Sequence, residues 1–442
     1  MIAWRDRVAA IGLSEDATAI ATRYFTEVAN YHATLFGREV ETRGWWIPGR
    51  IEVLGKHTDY GGGRSLLCAV ERGFHLLASS RDDDTVHMVD ASTNATLTTS
   101  LDRDAPPRRG HWSDYPISVV RRIARDFPGA RTGMNAVIRS SLPSAAGLSS
   151  SSAMVIACFL PLAALNALRA HPAWASIRDD DALGEYLGAI ENGRAYQGML
   201  ADHGVGTQGG SEDQTAILRS QPGRLLQYHF IPVTHEDTVP LPTGWQFVLG
   251  VSGVHAAKGG AVQARYNALA GEVASLLELW NKRTGRNDGS LLAALHSAAD
   301  AGSRLRGMVA ADSSVDAMLQ VRLAQFVDEC DVIIPEVSRR LHGGDVRAIG
   351  DLVARSQGGA EEALRNQIPE TIHLARSARD FGAAAASAFG AGFGGSVWAL
   401  VRDEEIAQFT ARWRDDYLTH FPARRYRADF FASRPGPAAC EV

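Results

Sequence analysis

Four consecutive serines between a small-residue loop and an apolar helix set the strongest limit on the fold of this chain. They lie in LPSAAGLSSSSAMVIACFL, residues 142–160, directly after a strand-like stretch. The first N–H groups of a helix lack intrahelical partners and carry a partial positive charge, so they bind anions. Serine hydroxyls at this place either cap the helix or ligate a phosphate-bound Mg²⁺ ion. Capping needs only one serine, so four of them favour a phosphate site.

A second loop, GRIEVLGKHTDYGGG at residues 49–63, contains Gly-Lys but is not a P-loop. A P-loop has four residues between its first glycine and Gly-Lys, and then a Ser or Thr. Here five residues fill that interval, and a histidine follows the lysine. The alternatives are a hairpin turn and a ligand loop. The density of His57, Asp59 and Tyr60 before three glycines favours a ligand, because glycines let it approach the backbone.

A third glycine-rich stretch, GAGFGGSVWAL at residues 390–400, resembles G-x-G-x-x-G but leads into a strand. A dinucleotide fingerprint requires a helix at that point. Alone, the stretch is compatible with a ligand loop or with a tight turn.

Length and composition restrict the class of protein. A chain of 442 residues exceeds one ordinary domain, and its net charge of −5 is spread along the sequence. We therefore expect two or three domains and no nucleic-acid partner. The four cysteines form no C-x-x-C pair, which favours a reducing compartment; they are Cys68, Cys158, Cys330 and Cys440.

The sequence also lacks the marks of a secreted or membrane protein. Its first twenty residues have no signal-peptide core, and the longest apolar run, residues 153–165, is interrupted by Pro161. We expect a cytoplasmic protein without a membrane partner. No oligomeric state follows from the sequence.

Helical and strand patterns alternate without a simple repeat, which predicts an α+β protein. Helices are expected over residues 15–37, 114–127, 180–200 and 404–418, and a mainly helical region over 256–380. A glycine-rich loop is expected over residues 204–214. The least regular stretch, residues 219–244, is where we place the domain boundary.

Taken in this order, the three loops resemble the motifs of the GHMP kinase superfamily, named for galactokinase, homoserine kinase, mevalonate kinase and phosphomevalonate kinase. PGRIEVLGKHTDYGGG is similar to the galactokinase-branch signature GR-x-N-L-I-G-E-H-T-D-Y, LPSAAGLSSSSAM to the phosphate motif, and GAGFGGSV to the third motif. The resemblance covers essentially the whole chain. It implies an N-terminal domain like ribosomal protein S5 domain 2 over residues 1–222. A ferredoxin-like C-terminal domain would cover residues 223–442, with the active site in the cleft.

The same resemblance implies roles for four groups. Asp213, in GTQGGSEDQ, matches the carboxylate that acts as base, and Arg50 would stabilise developing charge. Without the family context, Asp213 would be interpreted as a loop carboxylate that caps a turn. Glu191 resembles the acidic Mg²⁺ ligand, with Ser150 or Ser151 as its partner; the alternative is an exposed helical carboxylate. The 22 positions from Glu191 to Asp213 exceed the family pattern and indicate an insertion.

The remaining site residues follow from the same motif matches. The sugar would contact Lys56, His57, Asp59, Tyr60, Gly210 and Tyr266. The phosphates of ATP would contact Pro143, Ala146, Gly147, Leu148, Ser149, Ser150, Ser151 and Ser152. The alternative for Tyr266 is an aromatic side chain on a helix face.

Lys56 stands where galactokinases carry a Glu that contacts the C-6 hydroxyl of the sugar. A buried Lys needs an anionic partner, and a substrate carboxylate would supply one, so a uronic acid such as galacturonate is a hypothesis. The rival is that Lys56 points to solvent or pairs with Glu52, which replaces the usual Asn. Ala145 replaces a phosphate-loop glycine, and the third motif lacks its usual Met-Thr or Met-Ser.

The resemblance therefore implies an ATP- and Mg²⁺-dependent kinase for the anomeric C-1 hydroxyl of galactose or a galactose-like sugar. One alternative is a catalytically silent regulator that binds sugar and ATP, which the substituted second and third motifs suggest. Another is a kinase of the same superfamily that acts on a non-sugar alcohol.

Overall fold

Two sheets, one of eight strands and one of four, form the framework within the described residues. A computed structural model describes residues 4–144, 146–255, 260–312 and 316–442, with residue 261 by its backbone alone. The strands are β1 (Arg43–Leu54), β2 (Arg64–Ser80), β3 (Thr85–Asp90), β4 (Thr96–Ser100), β5 (Met134–Ser140), β6 (Arg224–His229), β7 (Thr234–Pro240), β8 (Trp245–Val251), β9 (Ala385–Phe389), β10 (Ser396–Arg402), β11 (Asp429–Ser433) and β12 (Cys440–Glu441).

Helices cover both sheets. They are α1 (Trp4–Ala9), α2 (Glu15–Phe36), α3 (Asp114–Asp126), α4 (Ser150–Leu165), α5 (Asp180–Asn192), α6 (Glu212–Arg219), α7 (Gly260–Thr284), α8 (Leu291–Leu295), α9 (Ala301–Ala311), α10 (Met318–Asp328), α11 (Ile334–His342), α12 (Gly350–Glu362), α13 (Pro369–Asp380) and α14 (Ile406–His420). A π-helical turn, Glu329–Ile333, joins α10 to α11. Among the described residues, no helix is both long and apolar enough to cross a membrane.

The larger sheet has the order β12-β1-β2-β5-β3-β4, and all of its neighbours are antiparallel except β3 and β5. β2 is long enough to pair with β5 along one half and with β6 along the other, and β7 then pairs with β6. α2 packs on one face, where Phe25 and Val28 meet Trp46. α3 to α6 pack on the other face, where Ile123, Phe159 and Leu187 belong to one core.

The smaller sheet has the order β11-β8-β10-β9 and is antiparallel throughout. α13 and α14 cover one face through Leu374 and Trp413. A second core joins this sheet to α11 and to β1, with Phe247, Val337 and Ile51 among its members. The two sheets therefore share buried surface, which fixes the loops between them.

Helices α7 to α10 form a unit with its own core, which includes Trp280, Leu305 and Phe326. This unit lies against the turn after β1, because a Cβ on Gly61 would stand 2.6 Å from Val273 Cγ1. The helical unit thereby closes one side of the region that holds the second sequence motif.

β12 brings distant sequence to the first sheet. Its residues Cys440 and Glu441 pair with Trp46 and Trp45 of β1. Val442 N then donates to Gly44 O at 2.8 Å, and Arg7 donates to Val442 O. Residues 440–442 therefore pair with the edge of β1 at Gly44, Trp45 and Trp46.

Most of the predicted elements are observed, and two expectations about the segment before Gln214 are wrong. The helix predicted over 180–200 ends at Asn192, because Gly193 adopts a left-handed φ of 72°. The loop predicted over 204–214 ends early, since α6 begins at Glu212 and takes two acidic residues into its first turn. β6 and β7 follow residue 222 yet extend the larger sheet. The division at 222/223 stays a prediction.

Candidate active site

A cleft opens where six segments meet. They are the end of β1 with its following turn, α3, the start of α4, the segment from α5 to α6, α7, and the turn between β9 and β10. The acidic residues and the arginine that line the cleft are Glu52, Asp59, Glu191, Glu212, Asp213 and Arg50. Such a lining favours neutral or cationic groups, except near the guanidinium and the start of α4, where an anion can bind.

Arg50, on β1, joins the loop before α4 to the start of α6. Its Nε donates to Asp213 Oδ1 at 2.7 Å, and its Nη1 donates to Gly147 O at 2.7 Å. Burial opposes the charge, but the carboxylates of Asp213, Glu212 and Glu52 raise the pKa of Arg50 well above its usual value. Arg50 is therefore a fixed positive charge that orients the Asp213 carboxylate.

Ser152, in the first turn of α4, lies between two carboxylates. Its Oγ is 2.7 Å from Glu191 Oε2 and 3.2 Å from Asp213 Oδ2. Gln214 Nε2 also donates to Glu191 Oε2, at 2.6 Å. The end of α5 and the starts of α4 and α6 thus bring hydroxyl and carboxylate oxygens together, which is the donor type that Mg²⁺ prefers.

The loop before α4 has the features of an anion site. Ser149 has a φ of 58°, and its side chain does not cap the helix. Its buried Oγ has no hydrogen-bond partner among the described residues. Phosphate oxygens would accept from this hydroxyl and from the N–H groups of the first helical turn. These residues therefore fit the phosphates of a nucleotide; Ala145 lies outside the described residues.

Five of the eight residues predicted to contact the nucleotide line the cleft, namely Gly147, Ser149, Ser150, Ser151 and Ser152. Pro143, Ala146 and Leu148 are absent from that lining. The backbone carbonyls of the last two residues instead hold the loop: Ala146 O accepts from Ser396 Oγ at 2.5 Å, and Leu148 O accepts from Arg50 N at 3.2 Å.

The third glycine-rich stretch is a turn between β9 and β10 that packs on this loop. Its Ser396 supplies the contact to Ala146, and Gly390 and Ala391 line the cleft. Phe389, at the end of β9, lies with its ring centroid 5.9 Å from Arg50 Cζ. The stretch is thus a tight turn that also borders the cleft.

Asp59 and Tyr266 lie beside the segment that precedes α6. Asp59 Oδ1 accepts from Tyr60 N at 2.8 Å, and Oδ2 accepts from Glu212 N at 3.4 Å. Burial raises the pKa values of Asp59 and Tyr266. A Cβ on Gly210 would stand 2.2 Å from Asp59 Oδ2, so only glycine allows this approach.

His57 and Tyr60 belong to a directed chain of hydrogen bonds. His57 Nε2 is 3.1 Å from Ala391 O, an acceptor, so Nε2 carries the hydrogen and Nδ1 accepts from Tyr60 Oη at 3.0 Å. Arg322 Nη2, on α10, donates to Tyr60 Oη at 3.3 Å and to His57 O at 2.5 Å. The helical unit therefore holds the turn that carries Asp59.

Three family models match the chain. The galactokinase galactose-binding signature matches residues 30–80, the GHMP kinase N-terminal domain matches 114–218, and the GHMP kinase C-terminal domain matches 334–418. Together they cover just over half of the sequence, in the order that the three loops predicted. The chain belongs to the GHMP kinase superfamily, in its galactokinase-like branch.

Similar proteins agree with this membership. The galactokinase of Chloroflexus aggregans is 27% identical over 374 residues, which cover 82% of this chain and 85% of that protein. The galactokinase of Lacticaseibacillus casei is 25% identical, covering 90% and 96%. The Lactococcus lactis galactokinase in complex with galactose has the same fold, with a TM-score of 0.77 at 22% identity and coverage of 94% and 99%. The Methanococcus jannaschii mevalonate kinase gives a TM-score of 0.52 at 14% identity, covering 90% and 98%.

This galactokinase-like protein is an enzyme of the kinase class, which transfers a phosphoryl group to an alcohol acceptor. Kinases of this superfamily use ATP as the phosphoryl donor. The two-domain α+β fold expected from the resemblance is confirmed.

Lys56 is not brought into the cleft of this galactokinase-like enzyme. It is 1% exposed and absent from the lining. Its Nζ donates to Ser356 Oγ at 2.9 Å, and that hydroxyl donates to Glu329 Oε1 at 2.9 Å. The interpretation of Lys56 as a receptor for a substrate carboxylate stays a prediction, and this placement does not support it.

The residues around the cleft that sequence reasoning missed include Glu212, Asn192 and Arg322. Glu212 is buried beside Arg50, at 3.9 Å, and burial raises the pKa of Glu212 well above its usual value. Asn192 Nδ2 donates to Gly210 O at 3.0 Å and orients that glycine loop. Arg322 comes from a helix without a family motif. Glu212 could have been predicted, because it directly precedes the expected base in the sequence. No sequence pattern around Arg322 predicts its contact with the turn.

Proposed function

We propose that the enzyme phosphorylates the anomeric C-1 hydroxyl of galactose or a galactose-like sugar, with ATP as donor and Mg²⁺ as cofactor. The proposal rests on the position of Asp213 in the lining of the cleft. Arg50 holds its carboxylate there, beside Ser152, which also contacts Glu191. The match to the galactose-binding signature supports the choice of sugar.

Asp213 is the proposed base. Arg50 holds its Oδ1, while Oδ2 lies on the side of Ser152. Oδ2 can accept the proton of a sugar hydroxyl, because a carboxylate oxygen is an acceptor and the fixed geometry reduces the cost of positioning. The guanidinium of Arg50 stabilises the negative charge that develops as the proton leaves.

The phosphoryl donor would lie at the start of α4. Ser149 Oγ and the N–H groups of the first helical turn bind phosphate oxygens, and phosphoryl transfer depends mainly on such positioning and charge neutralisation. Glu191, with Ser150 or Ser151, would hold Mg²⁺; Ser152 is a further candidate because it already contacts Glu191. When bound, Mg²⁺ neutralises charge on the phosphates.

The acceptor sugar would lie against Asp59, Gly210 and Tyr266, which are close to one another in the lining. Asp59 accepts hydrogen bonds from sugar hydroxyls. His57 and Tyr60 use their polar atoms within the protein and shape the turn that presents Asp59.

The cleft favours a neutral sugar over a uronic acid. Five carboxyl groups line it, and burial raises the pKa values of three of them, Glu52, Asp59 and Glu212. Arg50, the one guanidinium among the described lining residues, already pairs with Asp213. A substrate carboxylate would meet these acidic groups without a free cation in the described lining, because the ammonium of Lys56 bonds to Ser356 instead. Galactose therefore ranks ahead of galacturonate in the proposal.

The test is ADP release, measured with a coupled assay, against galactose, galacturonate, glucuronate, arabinose and N-acetylgalactosamine. We expect the highest kcat/KM for galactose, and phosphorus NMR of the product should show an anomeric phosphate. Lys56→Glu serves as the variant that would lose a uronate preference.

Other outcomes would contradict the proposed substrate, the proposed activity or the proposed position of the phosphate. A uronate preference that Lys56→Glu abolishes would show that Lys56 reaches the substrate. Nucleotide binding without turnover on any sugar would favour a catalytically silent regulator that binds sugar and ATP. Turnover on a non-sugar alcohol alone would favour a kinase of the same superfamily with that substrate. A phosphate on another hydroxyl would disprove the anomeric assignment.

A further inference from the structure

Two histidines and one aspartate meet on the outer face of the smaller sheet, in the helices that cover it. His373 belongs to α13, and Asp416 and His420 belong to α14. One potential ligand atom from each lies within 4.8 Å of the other two. His373 Nε2 is 2.7 Å from Asp416 Oδ2, and the two imidazole centroids are 4.3 Å apart. None of the three lines the cleft.

The surroundings fix part of this cluster and leave part of it accessible. The His373 ring packs edge-to-face on Phe421 at 5.5 Å, which limits its rotation. His373 and Asp416 are each 23% exposed, whereas the His420 side chain is 54% exposed. An ion can therefore approach from the His420 side and meet two ligands that are already oriented.

The local charges favour a cation. His420 is the last residue of α14, where the helix end carries a partial negative charge. Asp416 adds a carboxylate, and His420 Nδ1 is 2.9 Å from Asp416 O. Arg424, which follows the helix, is ion-paired with Glu370 at 2.9 Å, so its charge is offset.

We propose that His373, Asp416 and His420 bind a divalent transition-metal ion of the Zn²⁺ type, which links α13 to α14. Two imidazole nitrogens and one carboxylate oxygen suit Zn²⁺, whose usual bond lengths are about 2.0–2.2 Å, so binding would draw the ligand atoms to within about 4 Å of one another. The ion replaces the hydrogen between His373 Nε2 and Asp416 Oδ2, and the ring then carries its proton on Nδ1. Water completes the coordination.

This site differs in chemistry from the oxygen-rich cleft. Mg²⁺ is a hard ion that prefers carboxylate and hydroxyl oxygens, while imidazole nitrogens select Zn²⁺, Co²⁺ or Ni²⁺. A saturating concentration of Mg²⁺ therefore occupies the cleft without occupying the histidine cluster. The two kinds of site can be titrated separately.

The experiment is a titration of the tag-free, chelator-stripped full chain with Co²⁺ in excess Mg²⁺, followed by its visible absorption. We expect one equivalent of Co²⁺ to produce saturable absorption bands, and one equivalent of Zn²⁺ to remove them. Zn²⁺ should also raise the thermal unfolding midpoint, because it binds the folded state.

His420→Ala is the decisive variant, since this half-exposed side chain lies at a helix end. We expect it to weaken Co²⁺ binding at least tenfold and to remove the Zn²⁺-induced rise in the unfolding midpoint. Its kcat in Mg²⁺ should stay unchanged. His420→Gln, which keeps the size of the side chain, should behave in the same way.

His342→Ala is the matched control. His342 Nε2 lies 2.8 Å from Asp237 Oδ2 in a similar exposed pair, but no third ligand completes a metal cluster there among the described residues. This variant should bind Co²⁺ like the wild type. The absence of saturable one-equivalent binding, or equal binding by the His420→Ala and His342→Ala variants, would overturn the proposal.

Discussion

Arg50 lies closer to Asp213 than to Glu212, and this difference bears on which of the two acids is placed to act as a base. Asp213 lies 2.7 Å from the guanidinium, whereas Glu212 lies 3.9 Å away. Asp213 is also the more exposed of the two, at 19% against 6% for the side chain. Of these two adjacent acids, Asp213 is therefore the better placed for the proposed role of base.

Replacement of Asp213 by Asn tests this assignment. The change keeps the shape but removes the proton acceptor, so we expect kcat to fall by about 10²–10⁴-fold. ATP affinity should change little, because the proposed phosphate contacts lie at the start of α4. Stopped-flow or steady-state ADP release and a nucleotide-binding titration measure the two quantities. Retention of full turnover would exclude Asp213 as the base.

At the scale of elements, the site depends on three helix ends that the sequence located only in part. The serine run indicated the start of α4, and the helix predicted over 180–200 begins where α5 does but extends past its end at Asn192. The start of α6 at Glu212 was missed because its glycine-rich approach has the composition of a loop. Sequence spacing also could not reveal that Ser152 contacts Glu191, since that depends on the packing of α4 on α5.

A second prediction concerns the contact between α10 and the turn after β1. Tyr60→Phe removes the hydroxyl that accepts from Arg322 and donates to His57. Losing such buried hydrogen bonds costs about 1–3 kcal/mol. We expect the KM for the sugar to rise at least fivefold, with a smaller change in the KM for ATP.

Tyr31→Phe is the control for that change. Its hydroxyl bonds to Asn94 at 2.5 Å on the surface of α2, away from the cleft. Initial rates at varied sugar and varied ATP measure both KM values. An equal rise in the two constants for Tyr60→Phe, or none, would show that the hydrogen-bond chain does not position the sugar loop.

At the scale of the molecule, the family motifs predicted the two-domain fold, but physical patterns alone gave only its class. The pairing of β6 and β7 with the larger sheet joins residues on both sides of the expected boundary. The hydrogen bond of Lys56 was equally unpredictable from local sequence, because its partner Ser356 lies 300 residues away. Such long-range contacts have no local signal.

The stability of the whole protein should depend on the buried Glu52. Burial raises its pKa to about 7, against the partly compensating charges of Arg50 and Lys56. Between pH 4.5, the ordinary pKa of a glutamate, and pH 7, the folded state binds more protons than the unfolded state. The contribution of Glu52 to the free energy of unfolding is therefore present at low pH and is lost as pH rises toward 7.

Glu52→Gln should reduce this pH dependence. We expect the variant to lose less stability than the wild type between pH 5 and pH 8, by roughly 2–3 kcal/mol. Urea unfolding at both pH values measures the difference. Glu404→Gln, at a side chain that is 65% exposed, is the control and should leave the wild-type slope unchanged. Identical slopes for the wild type and the Glu52→Gln variant would contradict the prediction.

The pairing of β12 with β1 has a consequence for biosynthesis. Roughly 390 residues separate the two strands, and a ribosome that adds about 5–20 residues per second needs about 20–80 s to reach the second from the first. During that interval the outer backbone groups of β1 lack their partner strand. An unpaired edge can recruit strands from other chains. Until β12 is made, this part of β1 is therefore an edge at which another chain could pair.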